Sequence, residues 1–222
     1  MFTRKEEEMT MSKFWSIAVA IGVLAPAPNA FADNCLGGSV TSNSGFIVAC
    51  PKGDGPTLAS KGLTISVRVL DQSGNPIVGL AAHRIWLASS SLYTCPGTLI
   101  LTADAPTNWD GRTTFSGALR AGGCSEQGLN VMVRYDDLDY VLAPDPNDCD
   151  SPFTVPIFVR SPDLNADGTI GLADFSMFQY NYQNGPYDAC YDFDGSGTRN
   201  LADFSIFTSH YGTGSNPVHS CP

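Results

Sequence analysis

Two stretches of this chain repeat one another, and their spacing suits a tight loop that runs into a short helix. Residues 163–182 read DLNADGTIGLADFSMFQYNY, and residues 192–211 read DFDGSGTRNLADFSIFTSHY. The copies begin 29 residues apart and agree at 10 of 20 positions. Each opens with oxygen-bearing or small residues at alternate positions, places glycine at position six and aspartate at position twelve. Alternation of this kind turns successive oxygens toward one centre, which is how a short loop wraps a hard cation.

Calcium is the expected guest. It takes six to eight oxygens at roughly 2.3–2.6 Å, and a twelve-residue loop supplies them from positions 1, 3, 5, 7, 9 and 12. In loop one the ligand set is Asp163, Asn165, Asp167, the Thr169 carbonyl, a water at the Gly171 position, and Asp174. In loop two it is Asp192, Asp194, Ser196, the Thr198 carbonyl, Asn200 and Asp203. Gly168 and Gly197 hold position six, where the chain turns sharply and glycine takes the needed dihedrals at little cost. A pair of acidic turns without metal is the alternative, since Asp, Asn and Gly all favour turns. Repetition at a fixed period argues against it, and two calcium ions are expected.

After loop one, Leu172, Phe175, Phe178 and Tyr182 recur at helical spacing, and after loop two Leu201, Phe204, Phe207 and Tyr211 do the same. Each half is too small to bury its own apolar face, so the two helices are expected to pack on each other. A calcium loop followed by one helix, repeated once, resembles a dockerin module over residues 161–212. That resemblance implies calcium-dependent folding, the ligand set above, and a protein partner of the cohesin type. The chain departs from the family pattern in two places. Loop positions ten and eleven, often a Ser/Thr pair that touches cohesin, are Leu172–Ala173 and Leu201–Ala202. Position eight, ordinarily apolar, is Ile170 in the first copy and Arg199 in the second. Neither change removes a calcium ligand, but both put the cohesin partner in question. The leucines are therefore a candidate contact with the chain's own upstream body.

Residues 1–32 read as an export signal. Lys13 precedes an apolar run over residues 14–24, and Ala30-Phe31-Ala32 offers small residues at a cleavage point. That run is about half the ~20 residues a membrane span requires. Glu6, Glu7 and Glu8 are unusual for such a segment, and a start at Met11 (rather than Met1 or Met9) gives a cleaner signal. The net charge of −10 argues against nucleic acid, which calls for a basic face. Seven cysteines, all downstream of the signal, point to disulfides in an extracellular or cell-surface setting. Local pairs Cys35–Cys50, Cys95–Cys124 and Cys190–Cys221 leave Cys149 over; Cys149–Cys190 is an alternative, and sequence does not decide between them. There is no zinc or redox cysteine motif.

Between these ends the pattern is period-two alternation. Leu63, Ile65, Val67 and Val69 alternate with Thr64, Ser66 and Arg68, and further strands are expected over residues 45–50, 83–88, 98–102, 112–119, 129–135 and 155–160. Turn residues separate them, among them Asp110-Gly111, Gly122-Gly123 and the proline-rich segment 143–152. The phrases over residues 67–80 and 110–119 resemble bacterial immunoglobulin-like domains. The expected fold class is thus mainly β with a small α module at the C-terminus. An immunoglobulin-like β-sandwich over residues 33–160 precedes a dockerin-like pair of calcium units over residues 161–222.

No catalytic constellation stands out. His83 reads as a surface residue beside a strand, and Asp136, Asp137 and Asp139 read as a solvated turn. Trp86 and Trp109 are the aromatics that could stack on sugar rings; Trp86 lies between Ile85 and Leu87 and faces opposite to them, so one face or the other must be covered, whereas Trp109 sits in a polar loop and is the better candidate. The expected function is non-catalytic, calcium-dependent protein assembly at the cell surface, with a cohesin-like domain, the chain's own body or a second copy as partner. The alternatives are an accessory glycan-binding protein of an extracellular polysaccharide-degrading complex, and a subunit of an extracellular filament or adhesive layer.

Overall fold

The computed structural model describes residues 35–212, so the expected export segment and Cys221 lie outside the described residues. Where aliphatic residues alternate with polar ones, strands form with one face buried. In chain order they are β1 (Cys35–Ser42), β2 (Gly45–Val48), β3 (Ile65–Val69), β4 (Ile85–Ala88), β5 (Leu92–Tyr93) and β6 (Leu101–Thr102). β7 (Arg112–Phe115), β8 (Gly122–Ser125), β9 (Leu129–Tyr135), β10 (Leu138–Ala143), β11 (Thr154–Val155) and β12 (Ile157–Arg160) follow. Two helices, α1 (Leu172–Asn184) and α2 (Leu201–His210), close the described chain.

The protein is mostly β with two helices near its C-terminus, but the expected immunoglobulin-like sandwich is not what forms. A sandwich keeps two separate sheets face to face. Here seven strands run in one continuous path, β6-β4-β9-β10-β1-β3-β7, with β11 added beside β9. β1 is the stitch: Cys35, Leu36 and Gly37 pair in parallel with β10, and Gly38–Ser42 pair antiparallel with β3. At the changeover a Cβ on Gly38 would lie 2.3 Å from the Arg68 carbonyl oxygen, so only glycine lets one strand serve both partners. The outer strands then approach each other. Asp104 N–H donates to Thr114 O at 2.8 Å, and Thr113 Oγ1 donates to Ala105 O at 2.6 Å. The sheet therefore curls into a nearly closed barrel, which leaves little open edge. A second sheet, ordered β2-β12-β8-β5, pairs β12 in parallel with β2 and antiparallel with β8.

Ile65, Val67, Ile85, Leu87, Phe115 and Val131 are buried in the main core. Removing each such side chain from water contributes about 1.5–3 kcal/mol. Trp86 points to the opposite face of β4, where it is buried against Met132 and Val141 with the Arg134 guanidinium over its ring. It is therefore a packing residue and offers no sugar platform. Asp136 and Asp137 form the two-residue tip of the β9–β10 hairpin, and Asp139 is held by Arg134.

The helical pair has its own aromatic core. Phe178 and Phe207 stack with centroids 5.2 Å apart, and Phe178 stacks on Phe193 at 5.9 Å. This cluster continues into the β body through the buried Val48 and Cys50. The docking contact expected at Leu172 and Leu201 is thus made elsewhere: these two leucines are 68% and 74% exposed.

The disulfides also differ from the expected local pairs. Cys35 bonds Cys149, and Cys124 on β8 bonds Cys190 between the two loops. Cys95 is disulfide-bonded too, and among the described residues the free thiol is buried Cys50 rather than Cys149. Burial, with Asp54 and Asp163 nearby, pushes the Cys50 thiol up to about 12, which leaves it inert. Sheet pairing explains the outcome, since β1 lies beside β10 and the helical pair lies against β8. The disulfides suit an oxidising, extracellular environment, and no helix among the described residues is long and apolar enough to cross a membrane.

The Cys124–Cys190 bond closes a separation of 66 residues. Replacing both by serine is expected to lower unfolding free energy by ~4 kcal/mol on the chain-entropy account. Urea denaturation of the oxidised proteins measures it, and an unchanged midpoint would show that the helical pair needs no covalent tie to β8.

Candidate metal centre

Both loops use the same local wiring. In loop one, Asp163 Oδ1 accepts the Asp167 N–H at 3.1 Å and its Oδ2 accepts the Gly168 N–H at 2.9 Å. Asp174 accepts the Asn165 N–H at 3.1 Å and the Gly171 N–H at 2.8 Å. In loop two, Asp192 accepts from Ser196 and Gly197 at 3.0 and 2.8 Å, and Asp203 accepts from Asp194 and Asn200 at 3.1 and 2.8 Å. The first and twelfth residues of each loop thus pull the intervening backbone around them. Gly168 and Gly197 take left-handed φ values of 86° and 80°, as position six requires. Asp174 and Asp203 also lie in the first turns of α1 and α2, where the helix dipole favours a carboxylate.

All four of these aspartates are buried. In loop two, Asp192, Asp194 and Asp203 each bring a carboxylate oxygen within 4.8 Å of the others, and this acidic group could hold a metal ion. The Ser196 hydroxyl sits 3.0 Å from the Thr198 carbonyl in the same loop. Asn200 instead uses its side-chain oxygen to cap α2 through the Ala202 N–H at 2.6 Å. Loop one is less gathered. Asp167 turns to its own loop, accepting from Asn165 Nδ2 and from the Thr169 N–H, both at 2.8 Å, while Asn165 Oδ1 accepts the Asp167 N–H at 3.0 Å. The side-chain donors of both loops are oxygens, which fits a hard divalent cation and not a soft metal. A second acidic and thiol group, Cys124, Glu126 and Cys190, is no metal site because its sulfurs are joined.

The β body supports both loops through residues that sequence reasoning missed. Gly123 N–H donates to the Asp163 carbonyl at 2.7 Å. A Cβ on Gly122 would lie 2.0 Å from Asp163 Oδ2, so β8 must present bare backbone there. Under loop two, Tyr187 Oη donates to Asp192 Oδ2 at 2.7 Å, and Arg160 at the end of β12 donates to the Asp192 carbonyl. The Gly122-Gly123 doublet read as a turn, although glycine inside a strand can also mark close backbone approach. Nothing in the sequence placed Arg160 beside a loop that begins 32 residues later.

Electrostatics separate the two first-position aspartates. Burial raises Asp163 to about 6, Asp174 and Asp167 add to the rise, and the Gly168 and Asp167 N–H groups oppose it. Burial also pushes Asp192 upward, but the Tyr187 hydroxyl, the Gly197 N–H and the Arg160 guanidinium outweigh it, and the net shift is downward. Known proteins offer no guide to the chemistry: no family model, curated protein or solved structure matches the chain.

Because Asp163 is raised above the ordinary carboxylate value, its contribution to the metal-free fold is present below about 4 and lost as pH rises through about 6. A bound cation demands the ionised form, so the sign reverses with metal. If calcium is the ion held, the thermal gain it gives metal-stripped protein is expected to shrink as pH falls from 7.5 to 5. Calorimetric melts with and without calcium across that window check it, and a pH-independent gain would contradict it.

Proposed function

We propose that this is an exported, non-catalytic calcium-binding protein whose C-terminal loop–helix pair mediates calcium-dependent protein assembly at the cell surface. The observation that carries the reading is the duplicated wiring: in each loop the carboxylates at positions 1 and 12 accept four backbone N–H groups in the same register. Two calcium ions would sit among Asp163, Asn165, Asp167, Thr169 and Asp174, and among Asp192, Asp194, Ser196, Thr198, Asn200 and Asp203. The cation would supply the positive charge that three carboxylates per loop lack. The resemblance to dockerins supports the same reading, and the partner is then a cohesin-like domain or another copy of this chain.

Leu172 and Leu201 start the two helices at equivalent places and both face solvent. Beside Leu201 lies an apolar groove of about 260 Å³ lined by Phe175, Phe178, Tyr182 and Phe204. Paired exposed apolar residues of this kind suit a protein surface better than a small polar ligand.

A hundredfold calcium excess over Kd stabilises by about 2.7 kcal/mol per site, which for a chain of this size raises the melting temperature by roughly 5–10 °C. The gain is expected in the parent protein and lost in Asp163→Ala with Asp192→Ala. A melt indifferent to calcium and to chelator removes the reading. If the reading holds, Leu172→Asp with Leu201→Asp keeps the thermal gain and loses calcium-dependent association in size-exclusion chromatography.

A second reading, an accessory glycan-binding protein, has one observation in its favour. Trp109 is 81% exposed on the turn before β7, beside an Asp110 carboxylate fixed by Arg68 and Arg112. Retention on insoluble polysaccharide that Trp109→Ala abolishes would support it, and equal retention of both proteins would remove it.

A further inference from the structure

The duplication covers the loops and their helices, but what the β body sets behind the two loops is not repeated. Behind loop two stands Arg160, only 7% exposed, with its guanidinium 4.9 Å over the Phe46 ring. Its Nη1 donates to the Asp192 carbonyl and lies 3.7 Å from Asp192 Oδ2. Its Nε has no hydrogen-bond partner, and Glu126 Oε1 lies 3.6 Å away on a half-exposed side chain. Asp192 Oδ2 also accepts from Tyr187 and from the Gly197 N–H. Loop two itself carries a second cation, Arg199, whose guanidinium donates to Asn181 and to the Gly185 carbonyl. Loop one has no counterpart: among the described residues no Lys or Arg forms an ion pair with Asp163, Asp167 or Asp174. The residues that stand to loop one as Arg160 and Tyr187 stand to loop two, 29 positions earlier, are Val131 and Phe158, so sequence repeats neither group.

We propose that Arg160 makes the two loops unequal, acting as a resident cation that keeps loop two shaped without metal and weakens its hold on calcium relative to loop one. This inference rests on the metal reading above. The guanidinium offsets part of the charge of the three loop-two carboxylates, and a fixed positive charge beside a ligand oxygen opposes an incoming divalent ion. The better gathering of the loop-two carboxylates works in the other direction. Ordering one or two side chains is the smaller effect, because a whole unit charge at contact distance in a largely buried setting is barely screened. Arg160 is thus a positioning residue that sets site affinity from the β body, and loop one is the site that responds first as calcium rises.

Calorimetric calcium titration of the full oxidised chain tests this with single-site variants. Asp203→Asn leaves loop one and is expected to bind at least about tenfold tighter than Asp174→Asn, which leaves loop two, a difference of ~1.4 kcal/mol. Adding Arg160→Met to Asp174→Asn is expected to tighten the remaining site by about tenfold, and adding it to Asp203→Asn to change little. Equal affinities for the two single-site proteins overturn the proposal, whether or not the Arg160 variant folds. So does an Arg160→Met protein that folds and binds no more tightly at loop two. Absence of binding in the parent protein is a different failure, since it removes the metal reading itself.

Discussion

Four carboxylates buried within two short loops set the terms for the rest of this structure. Asp163, Asp174, Asp192 and Asp203 are withdrawn from water, and an ionised group so placed costs several kcal/mol unless it is compensated. Each accepts two backbone N–H groups, which offsets part of that cost and fixes the loop path at the same time. Like charges remain gathered in each loop, and the two loops meet that problem differently. Asp163 rises toward protonation, whereas Asp192 is kept ionised by a tyrosine and an arginine. A divalent cation held in either loop would offset that remaining charge.

The β body is part of this arrangement and more than a spacer. β8 supplies Gly122 and Gly123 against Asp163, Cys124 for the tie to Cys190, and pairing with β12, which ends in Arg160. Val48 and Cys50 extend the aromatic core of the helices into the body. A change at either loop is therefore felt along β8 and β12. The two acidic loops and the second sheet are expected to respond as one cooperative unit because they share side chains, backbone bonds and a disulfide.

The path of the two loops was legible in the sequence because its causes are local: the aspartates at positions one and twelve and the glycine at position six lie within one short window. The strands were legible for the same reason, with β3 and β9 marked by alternation over residues 65–69 and 129–135. How the strands join was not. Alternation says which face of a strand is buried and is silent on its neighbours, so the parallel join of β1 to β10 and the near closure of the sheet do not follow from it. Glycine hid two strands outright. The CLGGSVTS of β1 and the GGCS of β8 have the composition of turns, yet each is a place where the chain passes too close to a neighbour for a side chain. The disulfides were illegible for the related reason that cysteine pairing follows sheet neighbours and not sequence spacing.

Docking on the body has broken the symmetry of the duplicated pair, and what survives is informative. At loop position eight Ile170 is buried and its carbonyl accepts the Gly212 N–H, while Arg199 donates to the Asn181 carbonyl, which also accepts the Gly185 N–H, and to the Gly185 carbonyl at the end of α1. Tyr187 and Arg160 serve one loop alone. These differences lie where the helical pair meets itself or the body. On the solvent side the two copies still agree: Leu172 and Leu201 stand at equivalent positions, each followed by Ala, Asp, Phe and Ser. Apolar side chains left in water contribute nothing to folding, so the internal packing of this chain does not account for them. The exposed leucine at the start of each helix is thus kept in both copies, as the buried aspartates and phenylalanines are, while the groups that the β body sets behind the two loops differ.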